Sequence, residues 1–145
     1  MSAKPALKRF VVAMVLGVAF GYLCAYLAGR HQPELLSLTH PIFWTIMSDR
    51  ILIGLVVALA GAYTMHPVFG FPFRPWVRGS CLGMMVSIPL AAGSLNAPAT
   101  PMASPWLIFI LTLVSGGIYG LVIDLLATRI GGQGAALLGN DPSGA

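Results

Sequence analysis

The chain has 145 residues, 57% hydrophobic and only 8% charged, against about 25% charged in soluble globular domains. So little polar surface cannot cover a water-soluble fold, so the bilayer is the expected solvent, and the length suits one compact unit of a few spans. The net charge of +4 comes without a basic stripe interleaved with aromatics, which removes nucleic acid from the expected partners.

The first apolar run is Phe10 to Gly29, preceded by Lys4, Lys8 and Arg9. A secretory signal has an apolar centre of about 7–15 residues, and this run is longer. It is read as a retained transmembrane helix over residues 10–29, meeting the ~20 residues a bilayer needs. Ala13, Gly17, Gly21, Ala25 and Gly29 follow one another at spacing four. Lipid supplies little hydrophobic force between helices, and small residues allow the close backbone approach that replaces it. Gly17 and Gly21 are therefore expected at a helix contact, on a row that winds around a crossing neighbour.

The second run lies between His40 and Pro67 and carries Asp49 and Arg50. Pro67 disfavours helical geometry at His66. A crossing helix ending there must start near Trp44, so the expected span is 44–66 and both charges lie on it. Helical side chains lean toward the N-terminus. Asp49 and Arg50 are therefore expected to lean to the outer surface, Arg50 by snorkelling. Gly54 begins a small-residue row with Ala58 and Ala62. His66 is placed as a polar group on the inner side. Phe69, Phe71 and Phe73, in the link that follows, are expected at the membrane interface.

The third and fourth runs, residues 75–95 and 105–128, both open with Pro-Trp. Proline suits the first helical turn and tryptophan the membrane interface. Gly79, Gly83, Ser87 and Ala91 share one row, and Thr112, Gly116, Gly120 and Asp124 another. Pro89 favours a kink, with Ser87 available to re-satisfy the freed carbonyl. The Gly-rich tail 132–145 is expected to be mobile and separate from the membrane domain 1–131.

These readings give an all-α fold, a four-helix transmembrane bundle. With both termini inside, Lys4, Lys8, Arg9, Arg74, Arg78 and Arg129 lie on the inner side and Arg30 and Arg50 on the outer. The positive-inside rule then places both termini in the cytoplasm and the protein, multi-pass, in the plasma (inner) membrane.

Charged residues in spans are candidates for function. Asp124 stands out because its short side chain leans back into the membrane. It needs a partner, a proton or a hydrated cavity. Arg78, near the same depth on the neighbouring third helix, is the expected partner. His31, Glu34, His40 and Asp49 do not space into a compact metal site. The histidines are not positioned to face each other across a haem, so no metal or cofactor is expected. Ser80 or Cys81 near His66 could supply a nucleophile with a base, but nothing in the sequence fixes that geometry. No phosphate-binding glycine loop or zinc-protease motif is present. Cys24 and Cys81 read as small packing residues.

Three functions remain, in order. The first is a non-catalytic membrane component acting through packing with itself or another membrane protein. The second is a homo-oligomeric ion or small-solute transporter or channel using Asp124. The third is a membrane-embedded enzyme. The bilayer is the one partner expected in every case.

Overall fold

In the computed structural model, which describes residues 3–30, 32–66, 68, 70–96 and 104–137, the chain forms four α-helices. They are α1 (Ala3–Gly29), α2 (Pro41–Ala60), α3 (Pro75–Ser94) and α4 (Pro105–Gly131). Short 3₁₀ turns occupy Pro33–Leu36 and Gly134–Leu137. Proline opens α2, α3 and α4, where its missing N–H is harmless. The preceding residues cap two of these starts. His40 Nδ1 accepts from Ile42 N at 3.3 Å, and Ser104 Oγ accepts from Leu107 N at 3.2 Å.

The helices surround the core in the order α1, α2, α3, α4, with α2 and α4 also touching across the middle. The most extensive contacts join α3 to α4 and α1 to α2. One apolar cluster, Ala13, Ile53, Val57, Ala58, Ile123 and Ala127, joins α1, α2 and α4. A second, Ala25, Phe43, Ile46 and Met47, lies toward the other end between α1 and α2.

Among the described residues, three helices are long and apolar enough to cross a membrane: Pro5–Gly29, Pro41–Ala60 and Pro105–Gly131. Helix α3 equals α2 in length, at 20 residues, but is less apolar. Buried positions make up 44% of the apolar window of α2 and 22% of those of α1 and α4, so α2 is the most enclosed of the three.

The bounds of three helices differ from the sequence reading, α4 running to Gly131 in place of 128. Helix α1 begins at Ala3, ahead of the apolar run. Helix α2 occupies 41–60 in place of 44–66. Its early end has a physical cause. The Arg9 side chain fills the space beside Gly61 and takes the last-turn carbonyls of Val57 and Ala58, so the helix ends on the arginine. The chain then folds into a hairpin, with Phe73 N donating to Thr64 O at 2.7 Å and His66 N to Phe71 O at 2.9 Å. After α4, Gly132 and Gly134 adopt positive φ of 79° and 66°, a conformation glycine adopts without strain. The turn brings Gly134 N to Gly61 O at 2.9 Å, so the segment following Gly131 starts docked on the bundle. Residues 138–145, where the rest of the expected mobile tail lies, are outside the described residues.

Candidate buried charge sites

Asp124 lies on α4 about two turns before its end and is fully buried. The structure brings Arg78 to it from α3: Nε donates to Oδ2 at 2.8 Å and Nη2 to Oδ1 at 2.9 Å. A fork of this kind is the strong geometry for a guanidinium and a carboxylate. A second arginine completes the cluster. Arg9, on the first turns of α1, donates from Nη2 to Asp124 Oδ1 at 2.5 Å and from Nη1 to Thr128 Oγ1 at 2.8 Å. Exposure is 1% for Arg9 and 0% for Arg78 and Asp124.

Backbone carbonyls take most of the other guanidinium donors, and Arg78 Nη2 also reaches Thr128 Oγ1 and Gln133 Oε1, each at 3.4 Å. Arg9 reaches Ala58 O at 3.1 Å, Val57 O at 2.9 Å and Gly132 O at 3.2 Å. Arg78 Nη1 reaches Tyr63 O at 2.6 Å. Thr128 Oγ1 donates to Asp124 Oδ1 at 3.2 Å. The triad therefore ties α1, the end of α2, α3 and α4 together. Two guanidiniums and one carboxylate leave it one positive charge in excess.

The sequence reading of Arg9 as an interfacial flank missed its role. Two glycines mark the place. A Cβ on Gly61 would strike the Arg9 guanidinium, and one on Gly131 would meet Arg9 N at 2.5 Å and Cα at 2.6 Å. Both positions must lack a side chain for Arg9 to pass between α2 and α4.

Asp49 and Arg50 form a second cluster in mid-bundle. The expectation that they reach outer water is corrected here: exposure is 8% and 1%. Both side chains enter the protein because α2 is enclosed by neighbours and those neighbours offer polar groups at the right height. Arg50 Nη1 pairs with Asp49 Oδ2 at 2.9 Å and donates to Ser87 Oγ at 2.9 Å. Its Nη2 donates to Ser115 Oγ at 2.9 Å and contacts Cys24 Sγ at 3.7 Å. The guanidinium lies 5.0 Å from the Tyr119 ring centroid, within cation–π range. Tyr119 in turn stacks on Phe20 at 4.7 Å. Ser87 Oγ donates to Asp49 Oδ2 at 3.0 Å. Its single proton is thereby used, so it does not re-satisfy the carbonyl freed by Pro89. Among the described residues, Arg50 Nε is the one buried side-chain nitrogen or oxygen without a partner.

The glycines form the seams between these clusters. A Cβ on Gly17 would meet Arg50 O at 2.9 Å and Gly54 Cα at 3.4 Å, and one on Gly54 would meet Ala13 O at 2.6 Å. A Cβ on Gly21 would meet the Met47 sulfur at 2.9 Å. Between α3 and α4 the approach is closer still. Gly79 abuts the Gly120 carbonyl, Gly83 the Gly116 carbonyl, Gly116 the Ser87 side chain and Gly120 the Gly79 carbonyl.

His66 lies in the hairpin, stacked on Phe71 at 4.9 Å and edge-on to Phe73 at 5.4 Å. Of the other residues weighed as metal ligands, Glu34 is exposed and His40 caps α2. His31 and Phe69 lie outside the described residues. Among those described, no three His, Cys, Asp or Glu side chains gather as a metal site. Cys24 and Cys81 are half-buried free thiols.

Comparison of the chain with family models, with curated proteins and with solved structures finds no match.

Proposed function

We propose that the protein is an integral protein of the plasma (inner) membrane, that all four helices span the bilayer, and that both termini are cytoplasmic. The one charged residue of helix α3, Arg78, is buried with Ser87, while Met84, Met85 and Ile88 on its outer side are exposed and apolar. The exposed cations Lys8, Arg74 and Arg129 gather at one end, and Arg30 lies at the other, which supports orientation by the positive-inside rule.

We infer further that it is a non-catalytic component that works by association with a second copy or with another membrane protein. The saturation of Asp124 carries this reading: both oxygens are held by guanidiniums and the residue has no exposure. A transport site must release its ligand and refill, and this carboxylate is committed. The polar groups also do not connect. Ser115 and Asp124 are about 13 Å apart along α4, and the α3–α4 glycine seam and the cluster of Ile53, Val57 and Ile123 lie between them. The seam glycines face inward, so association would use larger side chains such as Val15 and Tyr22 on α1 or Ile110 and Val114 on α4, all exposed.

The test is reconstitution in liposomes, with particle mass and ion flux measured on the same preparation. The expected result is a defined assembly with flux equal to that of protein-free vesicles. Flux that Asp124→Asn abolishes while the fold is kept would replace this reading with the transporter.

A further inference from the structure

Two shallow grooves flank the C-terminal end of α2. One, of about 390 Å³, lies between α2 and α3 and is lined by Val56, Leu59, Tyr63, Phe73 and Leu82, with Arg78 in its wall. The other, also about 390 Å³, lies between α1 and α2 and is lined by Leu7, Phe10, Leu59 and Leu137, with Arg9 in its wall. Leu59 belongs to both and is 64% exposed, so it forms the ridge between them. Each groove is apolar except for one arginine of the triad.

Among the described residues, the exposed charges at this end have one sign. The triad keeps one uncompensated positive charge, and Lys8, Arg74 and Arg129 are exposed around it. Lys8 directly follows and Arg74 directly follows a groove-lining residue, Leu7 and Phe73 respectively. Among the described residues Glu34 is the one exposed carboxylate, and it lies at the opposite end of the bundle.

We propose that the twin grooves are a site for one anionic diacyl phospholipid. Its two chains straddle Leu59, and its anionic headgroup lies in the field of Lys8 and Arg74, which flank the two grooves. Two apolar grooves sharing one ridge match two chains on one glycerol, and the excess of cations selects the charge of the headgroup. A zwitterionic lipid fills the grooves equally well but gains no net attraction from the cations. The inference rests on the reading that the bundle lies in a bilayer with this end at the interface.

Native mass spectrometry of the full chain, released from bilayers of equal dioleoyl phosphatidylglycerol and dioleoyl phosphatidylcholine, tests it. Each cation near an anionic headgroup is worth about fivefold, so two predict about thirtyfold preferential retention of phosphatidylglycerol. Lys8→Gln with Arg74→Gln should bring retention close to parity without changing the unfolding midpoint, because both side chains are exposed. Ala60→Trp, which fills the α2–α3 groove, should remove retained lipid of either headgroup. Parity in the wild type, or a preference that survives the double substitution, overturns the site. Flotation of the same liposomes separates the two readings: a chain that floats but shows no preference has lost only the lipid site, and a chain that does not float has lost its place in the membrane.

Discussion

Asp124→Asn is the most informative single change in the bundle. It keeps the shape of the side chain and removes its charge. Two guanidiniums then face no carboxylate, and the buried charge of the triad rises from +1 to +2. Removing one partner of a buried pair costs about 3–5 kcal/mol. Here two contacts, at 2.5 and 2.8 Å, lose their charge together, while the Asn oxygen still accepts one hydrogen bond. The expected loss is therefore about 5 kcal/mol, at the top of that range. Either arginine behaves differently. Arg78→Ala leaves Arg9 and Asp124 as a balanced pair, so it forfeits only the hydrogen bonds of Arg78, about 2–3 kcal/mol. Arg9→Ala also leaves a balanced pair but frees the carbonyls of Val57, Ala58 and Gly132, so it should cost about 1 kcal/mol more. Losing both arginines strands a carboxylate of zero exposure, and the double variant should lose more than the sum of the singles. The assay is reversible unfolding in mixed micelles, followed by the fluorescence of Trp44, Trp76 and Trp106. The reasoning fails if Asp124→Asn costs no more than Arg78→Ala, or if the two arginine losses add within about 0.5 kcal/mol.

The glycine seams predict a graded series in the same assay. Gly83→Ala and Gly120→Ala each drive a methyl into a facing carbonyl and should cost about 1–3 kcal/mol, whereas Gly93 faces open space and its Ala variant should gain about 0.5–1 kcal/mol. Gly21→Ala should fall between them, because its obstacle is the movable Met47 side chain; equal behaviour at Gly83 and Gly93 would refute the packing argument. With Cys24 and Cys81 replaced, a cysteine at position 49 or 50 should react with an impermeant maleimide far more slowly than one at the exposed position of Glu34. Fast labelling at 49 or 50 would mean that this cluster opens to water. Ser87→Ala removes the hydroxyl shared by Asp49 and Arg50 and should cost about 1–3 kcal/mol, and an unchanged midpoint would show that the hydroxyl contributes nothing.

Part of this was legible in the sequence. Helix α3 starts where its Pro-Trp pair says it should and ends within a residue of the expected 95, and α4 starts at its own Pro-Trp pair. The need of Asp124 for a partner followed from its short side chain, its direction and its depth. Arg9 was not legible for a physical reason. A cation one residue before an apolar run is the ordinary mark of a membrane boundary, and only the early start of α1 carries it inside. The Arg9 backbone packs against Gly131, and its long side chain reaches back along α4 to match the height of Asp124, seven residues earlier. That match cannot be computed until both helix ends are known. The fate of Arg50 was hidden in a different way. Sequence gives depth along a helix, and depth alone suggested water. Which neighbours stand beside α2 at that depth, and that they offer Ser87, Ser115 and Tyr119, is a property of the packing.

The glycine seams and the charge clusters constrain the bundle in different ways. A row of small residues at spacing four repeats itself about every turn. Sliding α1 past α2 by four residues, about 6 Å, would set Gly21 where Gly17 now meets Gly54. The seam therefore permits more than one register. The charged contacts occur once each. Arg9 has one carboxylate to reach, and Arg50 meets Ser87 and Ser115 at one height only. Fixing register is the best-attested use of buried polar groups, even where an apolar replacement would be more stable. On this hypothesis the charges choose the register that the glycines allow. Asp124→Asn should then loosen register before it loses helix. Circular dichroism should stay near the wild-type spectrum while spin-label distances between α1 and α2 spread by about 6 Å, one register step. A single sharp distance in that variant, equal to the wild-type value, would assign register to the glycines and leave the triad a purely energetic role.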